Sequence, residues 1–312
     1  MVSYRRTPVL FAVLVVLISV LFSACGGTTG STSGSGGKGT IIIGGKQDIE
    51  AQVLSKVYSL LLSHAGYHVV EKLALGDSPV VFNAIKSGAI DLYPEFTVTG
   101  LNVLGLKSSH NPQQDYQTVK AGFEKQFQIT WLNPAPLNDT YALCTSKAEA
   151  QKLGVTTISD LAPKVSQLTL ASPSDGISYV DDLKPIYGFG TQSFKSLTKV
   201  DYTIGFQAVK NGQAQVNVCY TTDGGVQQQN FVFLTDTKNG FPAFNPAPII
   251  RDSVLKANPG VPDALNPVEQ YITTDASIAW RGQVSAKQNS GMSATQAVKE
   301  VATDFLKSKG LL

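Results

Sequence analysis

The sequence lacks the residue groupings that metal sites and most enzyme active sites require. It has three histidines, His64, His68 and His110, and none stands at metal-ligand spacing with a cysteine or another histidine. There is no Gly-x-Ser-x-Gly motif and no phosphate loop that ends in Gly-Lys-Ser/Thr. These absences predict a protein that is not an enzyme and that uses neither a metal nor a cofactor.

An excess of charge of one sign is also missing. The chain has 25 basic and 23 acidic residues, and two of the bases, Arg5 and Arg6, lie in an N-terminal segment that has no acid. The rest of the chain is therefore balanced, which argues against a nucleic-acid-binding face. After the N-terminal apolar run, no second run is long enough to span a membrane.

The N-terminus has the pattern of an export signal. Arg5 and Arg6 precede a short apolar run from Val9 to Phe22, which is followed by Ser23-Ala24-Cys25-Gly26. This pattern predicts a signal peptide over residues 1–24, and its cysteine resembles the lipobox of bacterial lipoproteins, although Phe22 replaces the usual leucine. The resemblance implies lipidation at Cys25. The alternative is an uncleaved anchor helix, and either interpretation gives an exported, tethered protein.

The segment after Cys25 is rich in Gly, Ser and Thr, so residues 25–39 are predicted to form a flexible tether. Only two other cysteines are present, Cys144 and Cys219, and each lies within a predicted apolar strand. In an oxidising compartment they would form a disulfide if the two strands are neighbours. Two buried free thiols are the alternative.

Beyond the tether, strand and helix patterns alternate. Thr40–Ile43 is a short apolar strand, followed by a helical stripe from Val53 to Leu61. Tyr67–Val70 and Ile90–Tyr93 are the next predicted strands, with a helix through Val80–Ile85 between them. This alternation predicts a parallel sheet with helices on both faces.

A second unit of the same kind occupies the middle of the chain. Its predicted strands are Tyr141–Cys144, Leu168–Ala171, Val200–Tyr202, Val216–Tyr220 and Phe231–Leu234. The last third is predicted to be mostly helical. We therefore expect a two-lobed α/β protein, with interlobe crossings near Ala135–Asn138 and near Leu234–Lys238. The first lobe would hold residues 40–137 and 235–312, and the second lobe residues 138–234.

Three predicted strand or crossover ends carry a tyrosine beside hydrogen-bonding groups. They lie in the segments Asp91–Gly100, Asn138–Tyr141 and Tyr220–Gly224. Ligands of open α/β sheets bind beyond the carboxyl ends of the strands, so the loops at Tyr93 and Tyr220 would face each other across a cleft. A quaternary ammonium has no N–H to donate, so proteins hold it mainly with aromatic faces and a nearby carboxylate or carbonyl. The three segments therefore favour a small organic cation as ligand.

Taken together, the motifs resemble one known family. They are Lys46 with Glu50, Asp91–Gly100, Trp131–Leu143, Tyr220–Gly224 and Phe244–Pro248, in this order. The chain resembles the substrate-binding proteins of glycine betaine/choline/carnitine ABC importers over essentially all of residues 40–312. The resemblance implies a type II periplasmic-binding-protein fold, an ABC permease as membrane partner, and a place outside the cytoplasmic membrane or in the periplasm. We expect a monomer.

The resemblance also implies a set of ligand-binding residues. Tyr93, Tyr141 and Tyr220 carry over from their motifs as walls of an aromatic cage, and Phe244 stands where the family usually has tyrosine. Asp139 would add a negative charge or accept a hydrogen bond near the cage. Lys46, with the backbone amides that begin the first helix, would suit a ligand carboxylate.

Several alternatives stay open at this stage. Instead of binding a ligand, each tyrosine could be a residue of the core or of the cleft rim, and Lys46 could be a solvated surface charge. The family often has an arginine ahead of the turn that corresponds to Tyr187-Gly188, and this chain has none there. Glycine betaine, choline and carnitine are thus all candidates, as is a different cationic or zwitterionic solute such as an amino-acid derivative or polyamine. A surface lipoprotein without a transport role is a further alternative.

Overall fold

A computed structural model describes residues 38–312. The predicted signal peptide, nearly all of the predicted tether and the predicted lipidation site Cys25 lie outside the described residues, and they stay predictions. No helix of the described part is both long enough and apolar enough to cross a membrane.

The described residues form ten strands and fourteen α-helices. The strands are β1 Lys38–Gly44, β2 Tyr67–Lys72, β3 Leu92–Phe96, β4 Ile129–Trp131, β5 Tyr141–Ser146, β6 Thr169–Ser172, β7 Ser196–Lys199, β8 Val216–Tyr220, β9 Phe231–Phe233 and β10 Pro246–Arg251. The helices are α1 Ile49–His64, α2 Ser78–Lys86, α3 Thr97–Val103, α4 Pro112–Phe127, α5 Lys147–Leu153, α6 Ile158–Leu161, α7 Gly176–Asp181, α8 Lys184–Tyr187, α9 Tyr202–Lys210, α10 Gly225–Gln228, α11 Asp252–Ala257, α12 Val261–Glu269, α13 Thr274–Asn289 and α14 Ala294–Ser308.

The strands form two sheets, each the centre of one lobe. The first sheet has the order β2-β1-β3-β10-β4, in which β1 runs parallel to β2 and β3 while β10 runs antiparallel to β3 and β4. The carboxyl ends of β1, β2, β3 and β4 therefore meet at one edge, beside the start of β10. The sequence predicted the parallel core, but it did not reveal β10, which contains two prolines.

The second sheet repeats this arrangement. Its order is β7-β6-β8-β5-β9, with β6 parallel to β7 and β8, and β5 antiparallel to β8 and β9. The two lobes thus share one topology, although no internal repeat is evident in the sequence. The predicted strand Val200–Tyr202 is wrong: the strand ends at Lys199, and Tyr202 is the first residue of α9.

Helices cover both faces of each sheet, as the apolar strands predicted. On one face of the first sheet, α1, α13 and α14 contribute buried residues such as Val57, Trp280 and Val301. On its other face, Phe123 packs against Trp131 with ring centroids 5.2 Å apart. Because both faces are covered, only residues at strand ends can reach a cleft.

Cys144 and Cys219 lie on the neighbouring antiparallel strands β5 and β8, as a disulfide requires. Ala142 is opposite Cys219 and Cys144 is opposite Asn217, so the two cysteines form a diagonal pair. The structure joins them in a disulfide, with their Cα atoms 6.0 Å apart.

The chain passes between the two sheets twice. The first crossing lies between β4, which ends at Trp131, and β5, which begins at Tyr141. After β9, however, the chain stays on the second lobe: Thr235 bridges to Thr157, and Phe241 is buried in that lobe's core. We therefore place the second crossing at residues 242–245, later than the predicted Leu234–Lys238.

Candidate functional site

The carboxyl ends of the parallel strands in both sheets open onto the same cleft. In the second lobe, Tyr220 is the last residue of β8 and Tyr141, directly opposite it, is the first residue of β5. Tyr179 comes from the short helix α7 that follows β6. The second crossing adds Phe244. We call Tyr141, Tyr179, Tyr220 and Phe244 the aromatic cluster.

The rings of the aromatic cluster are in close contact. Tyr141 stacks on Tyr179 with centroids 4.2 Å apart and an interplanar angle of 21°, and it lies 4.7 Å from Tyr220. Phe244 meets the edge of Tyr179 at 6.1 Å. Tyr202 extends the group on the other side of Tyr220, at 5.1 Å. Several π faces are thus concentrated at one strand edge.

A carboxylate lies beside these rings. The Tyr141 and Tyr220 hydroxyls both donate to Oδ2 of Asp175, at 3.1 and 3.2 Å, and the two hydroxyls are 3.2 Å from each other. Asp175 is exposed and is the N-cap residue of α7. Burial, followed by the neighbouring tyrosine and Asp175, raises the pKa of Tyr141. The combination of aromatic faces and a carboxylate is the kind of environment that attracts an organic cation.

The first lobe holds a buried ion pair near the carboxyl ends of β1 and β3. Lys46 Nζ lies 2.5 Å from Oε1 of Glu95, and Lys46 also lies over the ring of Phe96, 5.0 Å from its centroid. Glu95 is fully buried and accepts further bonds from the Tyr93 hydroxyl and the Phe96 amide, both at 2.7 Å. Its charge is thereby satisfied within the lobe.

A polar chain connects the lobes. Arg281, on α13 of the first lobe, donates to Oγ1 of Thr222 in the second lobe at 2.8 Å, and Thr222 in turn donates to Asp139 at the first crossing. Glu50 of α1 belongs to the same region. Its carboxyl group accepts a hydrogen bond from Ser277. Asp139 acts to raise the pKa of Glu50, and Arg281 acts to lower it. Burial first, and then Asp139, raise the pKa of Glu50 to about 8.

Comparison with known proteins identifies the chain's relatives. A family model named OpuAC, described as the substrate binding domain of an ABC-type glycine betaine transport system, matches residues 39–308. The chain belongs to this family.

Individual members of the OpuAC family resemble this chain over most of its length. The glycine betaine-binding protein YehZ of Escherichia coli K12 is 32% identical over 281 residues, which are 86% of this chain and 90% of YehZ. The carnitine transport binding protein OpuCC of Listeria monocytogenes serotype 1/2a is 28% identical over 277 residues, covering 87% of this chain and 88% of OpuCC.

The solved structure of apo YehZ from E. coli matches with a TM-score of 0.71 at 29% identity, covering 88% of this chain and 99% of that one. The predicted two-lobed periplasmic-binding-protein fold is thereby confirmed. The chain is a substrate-binding protein of the glycine betaine/carnitine type of ABC transporter.

Within this OpuAC-family fold, the predicted site residues do not all come together. Tyr141, Tyr220 and Phe244 belong to the aromatic cluster, and Asp139 lies close enough to Tyr220 to influence its pKa, which burial chiefly raises to about 12. Tyr93 is elsewhere. Its side chain is fully buried in the first lobe and bonds to Glu95, so this conformation gives it no access to the cleft.

Lys46 has a different partner from the predicted one. Its ammonium is paired with Glu95, and the N-terminus of α1 that was expected to assist it is capped by the Asp48 carboxylate, which accepts from the Ala51 amide at 2.8 Å. A ligand carboxylate would therefore have to displace protein carboxylates at both positions.

Tyr179 and Asp175 were missed by the sequence analysis, which examined their neighbourhood only for an absent arginine. A signal was present in their spacing. Asp175 stands at the N-cap position of α7 and Tyr179 lies four residues later, so the two side chains can stand on one face of that helix. Nothing in the surrounding sequence, however, linked this helix to Tyr141 and Tyr220.

Proposed function

We propose that the protein captures a quaternary-ammonium solute at the aromatic cluster and delivers it to an ABC permease without changing it chemically. The observation that carries this proposal is the placement of Tyr141, Tyr179, Tyr220 and Phe244 around hydroxyls that share Asp175. Desolvated cation–π contacts contribute about 2 kcal/mol each, so three of them are enough for useful affinity.

Ligand entry requires a rearrangement within the cluster. The stack of Tyr141 on Tyr179, at 4.2 Å, leaves no space for a trimethylammonium group between the two faces. Tyr179 is on a helix of six residues and is half-buried, whereas Tyr141 is held in the β5–β8 ladder. We therefore expect Tyr179 to move aside as the cation enters and to form the opposite wall of its site.

The ligand would be enclosed by approach of the two lobes. Arg281 already reaches Thr222 across the cleft, and Phe244 reaches Tyr179 from the second crossing. The export signal and the predicted lipidation at Cys25 would hold the protein, as a monomer, outside the cytoplasmic membrane beside its permease. Replacing Cys25 with alanine should release the protein from membranes if this anchor is correct.

A titration tests the binding proposal directly. Purified protein without its signal peptide is titrated with choline, glycine betaine and carnitine by calorimetry, and at least one should bind. Tyr220→Ala should weaken that binding at least about tenfold, because it removes a ring and a hydroxyl partner of Asp175. Tyr271→Ala, which removes a tyrosine that packs against the core of the first lobe and is not part of the cluster, is the matched control. Absence of binding to every quaternary ammonium would refute the proposal.

A further inference from the structure

In each sheet, three of the four mutually parallel strands have a carboxylate near the carboxyl end, either in the loop that follows or, for β3, within the strand itself. In the first lobe these residues are Asp48, Asp77 and Glu95, and in the second lobe Asp175, Asp201 and Asp223. Four of the six are N-cap residues of the helices that begin at the cleft edge, namely Asp48, Asp77, Asp175 and Asp201. Only Asp48 accepts a hydrogen bond from its helix, from the Ala51 amide, and the other three place a negative charge at the helix N-terminus without a capping bond.

The basic residues near the cluster do not cancel the negative charge of these carboxylates at the place where a ligand would bind. Lys46 is neutralised by Glu95, and Arg281 donates to Thr222 beside Asp139. Lys199, at the end of β7, is exposed, and it lines a groove of about 650 Å³ that also contains Asp175 and Asp201. A free carboxylate at the cluster would therefore face more negative than positive groups.

A buried carboxyl group provides an independent observation. Glu50 is 3% exposed, and its Oε1 has no hydrogen-bond partner among the described residues. It is close enough to Asp139 for the two to influence each other's protonation, and the pKa values of both are raised, in each case chiefly by burial. Beyond burial, the negative charges of Asp139 and Asp48 contribute to the shift at Glu50, so a ligand carboxylate placed beside these groups would meet the same repulsion.

From these observations, and resting on the proposed function, we propose that Asp175 and the Lys46–Glu95 pair make the site select a quaternary ammonium without a carboxylate, of the choline class. Zwitterions such as glycine betaine and carnitine are then weak ligands. Asp175 acts through its position: it lies against the two hydroxyls of the cluster, where it attracts the ammonium and repels an attached carboxylate. The selectivity differs from that suggested by the names of the relatives.

The test compares three ligands that share the trimethylammonium group. Choline has a hydroxymethyl group where glycine betaine has its carboxylate, and glycine betaine amide has nearly the size of glycine betaine without its negative charge. Calorimetry at neutral pH should show choline and the amide binding at least about tenfold more tightly than glycine betaine, because like charges brought together at a binding site are strongly unfavourable.

Two variants test whether Asp175 causes the selectivity. Asp175→Asn keeps an acceptor for both hydroxyls and should narrow the difference between choline and glycine betaine severalfold. Asp263→Asn, an exposed acid in the first turn of α12 that lies near Tyr67 at the amino end of β2, is the matched control and should leave the ratio nearly unchanged. Both residues are exposed, so neither substitution threatens the fold.

The outcomes separate this inference from the proposed function. If glycine betaine binds as tightly as choline or more tightly, the selectivity is wrong while the quaternary-ammonium site stands. Selectivity for choline that survives Asp175→Asn unchanged would overturn the role of Asp175. If none of the three ligands binds, the proposed function fails and this inference fails with it.

Discussion

The two lobes have the same strand order but end in different chemistry at the cleft. In the second lobe the last residue of β8 and the first residue of β5 form the opposed pair Tyr220 and Tyr141. At the equivalent register of the first lobe, Phe96 is opposite Pro246. One scaffold thus presents hydroxylated rings with Asp175 in one lobe, and Phe96 with the Lys46–Glu95 pair in the other.

This difference indicates that the two lobes have different roles in ligand binding. Under the proposed function, the second lobe would carry the groups that attract the cation, and the rings of these groups are already in contact with one another. In the first lobe the Lys46 ammonium is already paired with Glu95. We therefore expect that lobe to make fewer polar contacts with a ligand and mainly to enclose it. We therefore expect changes in the second lobe to have the larger effects.

The largest expected effect concerns the disulfide, which only the second lobe has among the described residues. Cys144 and Cys219 are 75 residues apart and join β5 to β8, the strands that carry Tyr141 and Tyr220. Replacing both with alanine should lower the free energy of unfolding by about 2–4 kcal/mol. Chemical denaturation measures this, and reduction of the wild-type protein is the control. Equal stability before and after complete reduction would contradict the prediction.

A smaller effect tests the division between the lobes directly. Tyr141→Ala should weaken binding of the best quaternary-ammonium ligand about thirtyfold, the equivalent of about 2 kcal/mol for one cation–π wall. Phe96→Ala, the residue at the equivalent edge of the first lobe, should weaken binding less than about threefold because its ring already faces Lys46. Calorimetry measures both. Equal losses would mean that the two lobes share the binding energy.

Whether a predicted site residue joins the aromatic cluster depends on its position relative to a strand end. Tyr141 and Tyr220 lie at the ends of recognisable strands, and the structure brings them together. Tyr93 was assigned to the same role, but it lies within β3, where all five residues are buried. Alternation along a strand cannot identify a cleft-facing side chain when helices cover both faces, and here only Phe96 reaches the edge.

Other features depended on contacts between distant segments. The pairing of Lys46 with Glu95 joins residues 49 positions apart, and Asp175 meets Tyr220 from 45 positions away. No local pattern encodes such pairs. The second crossing was misplaced for a similar reason: residues 235–241 follow the last strand of the second lobe, yet Asp236 holds them there by accepting from the Tyr187 hydroxyl and from the Gly240 and Phe241 amides.

The last prediction is a slope of stability with pH rather than a single step, and it concerns Glu50, on the first lobe's side of the cleft. Burial, and then Asp139, raise its pKa from 4.5 to about 8, so between these values the folded protein keeps a proton that the unfolded chain has released. The free energy of unfolding should therefore fall as the pH rises through this window, by at most about 1.4 kcal/mol per pH unit. Glu50→Gln removes the titration but keeps an acceptor for Ser277, and it should flatten the decline.

Urea denaturation between about pH 5 and about pH 8 measures this slope. Glu124→Gln, on the exposed surface of α4, is the control and should leave the slope unchanged. If Glu50→Gln has the slope of the wild-type protein, the decline arises from other groups, and Glu50 does not mark a region of the cleft that disfavours negative charge. The charge-based contrast between the two lobes would then rest on the Lys46–Glu95 pair and Asp175 alone.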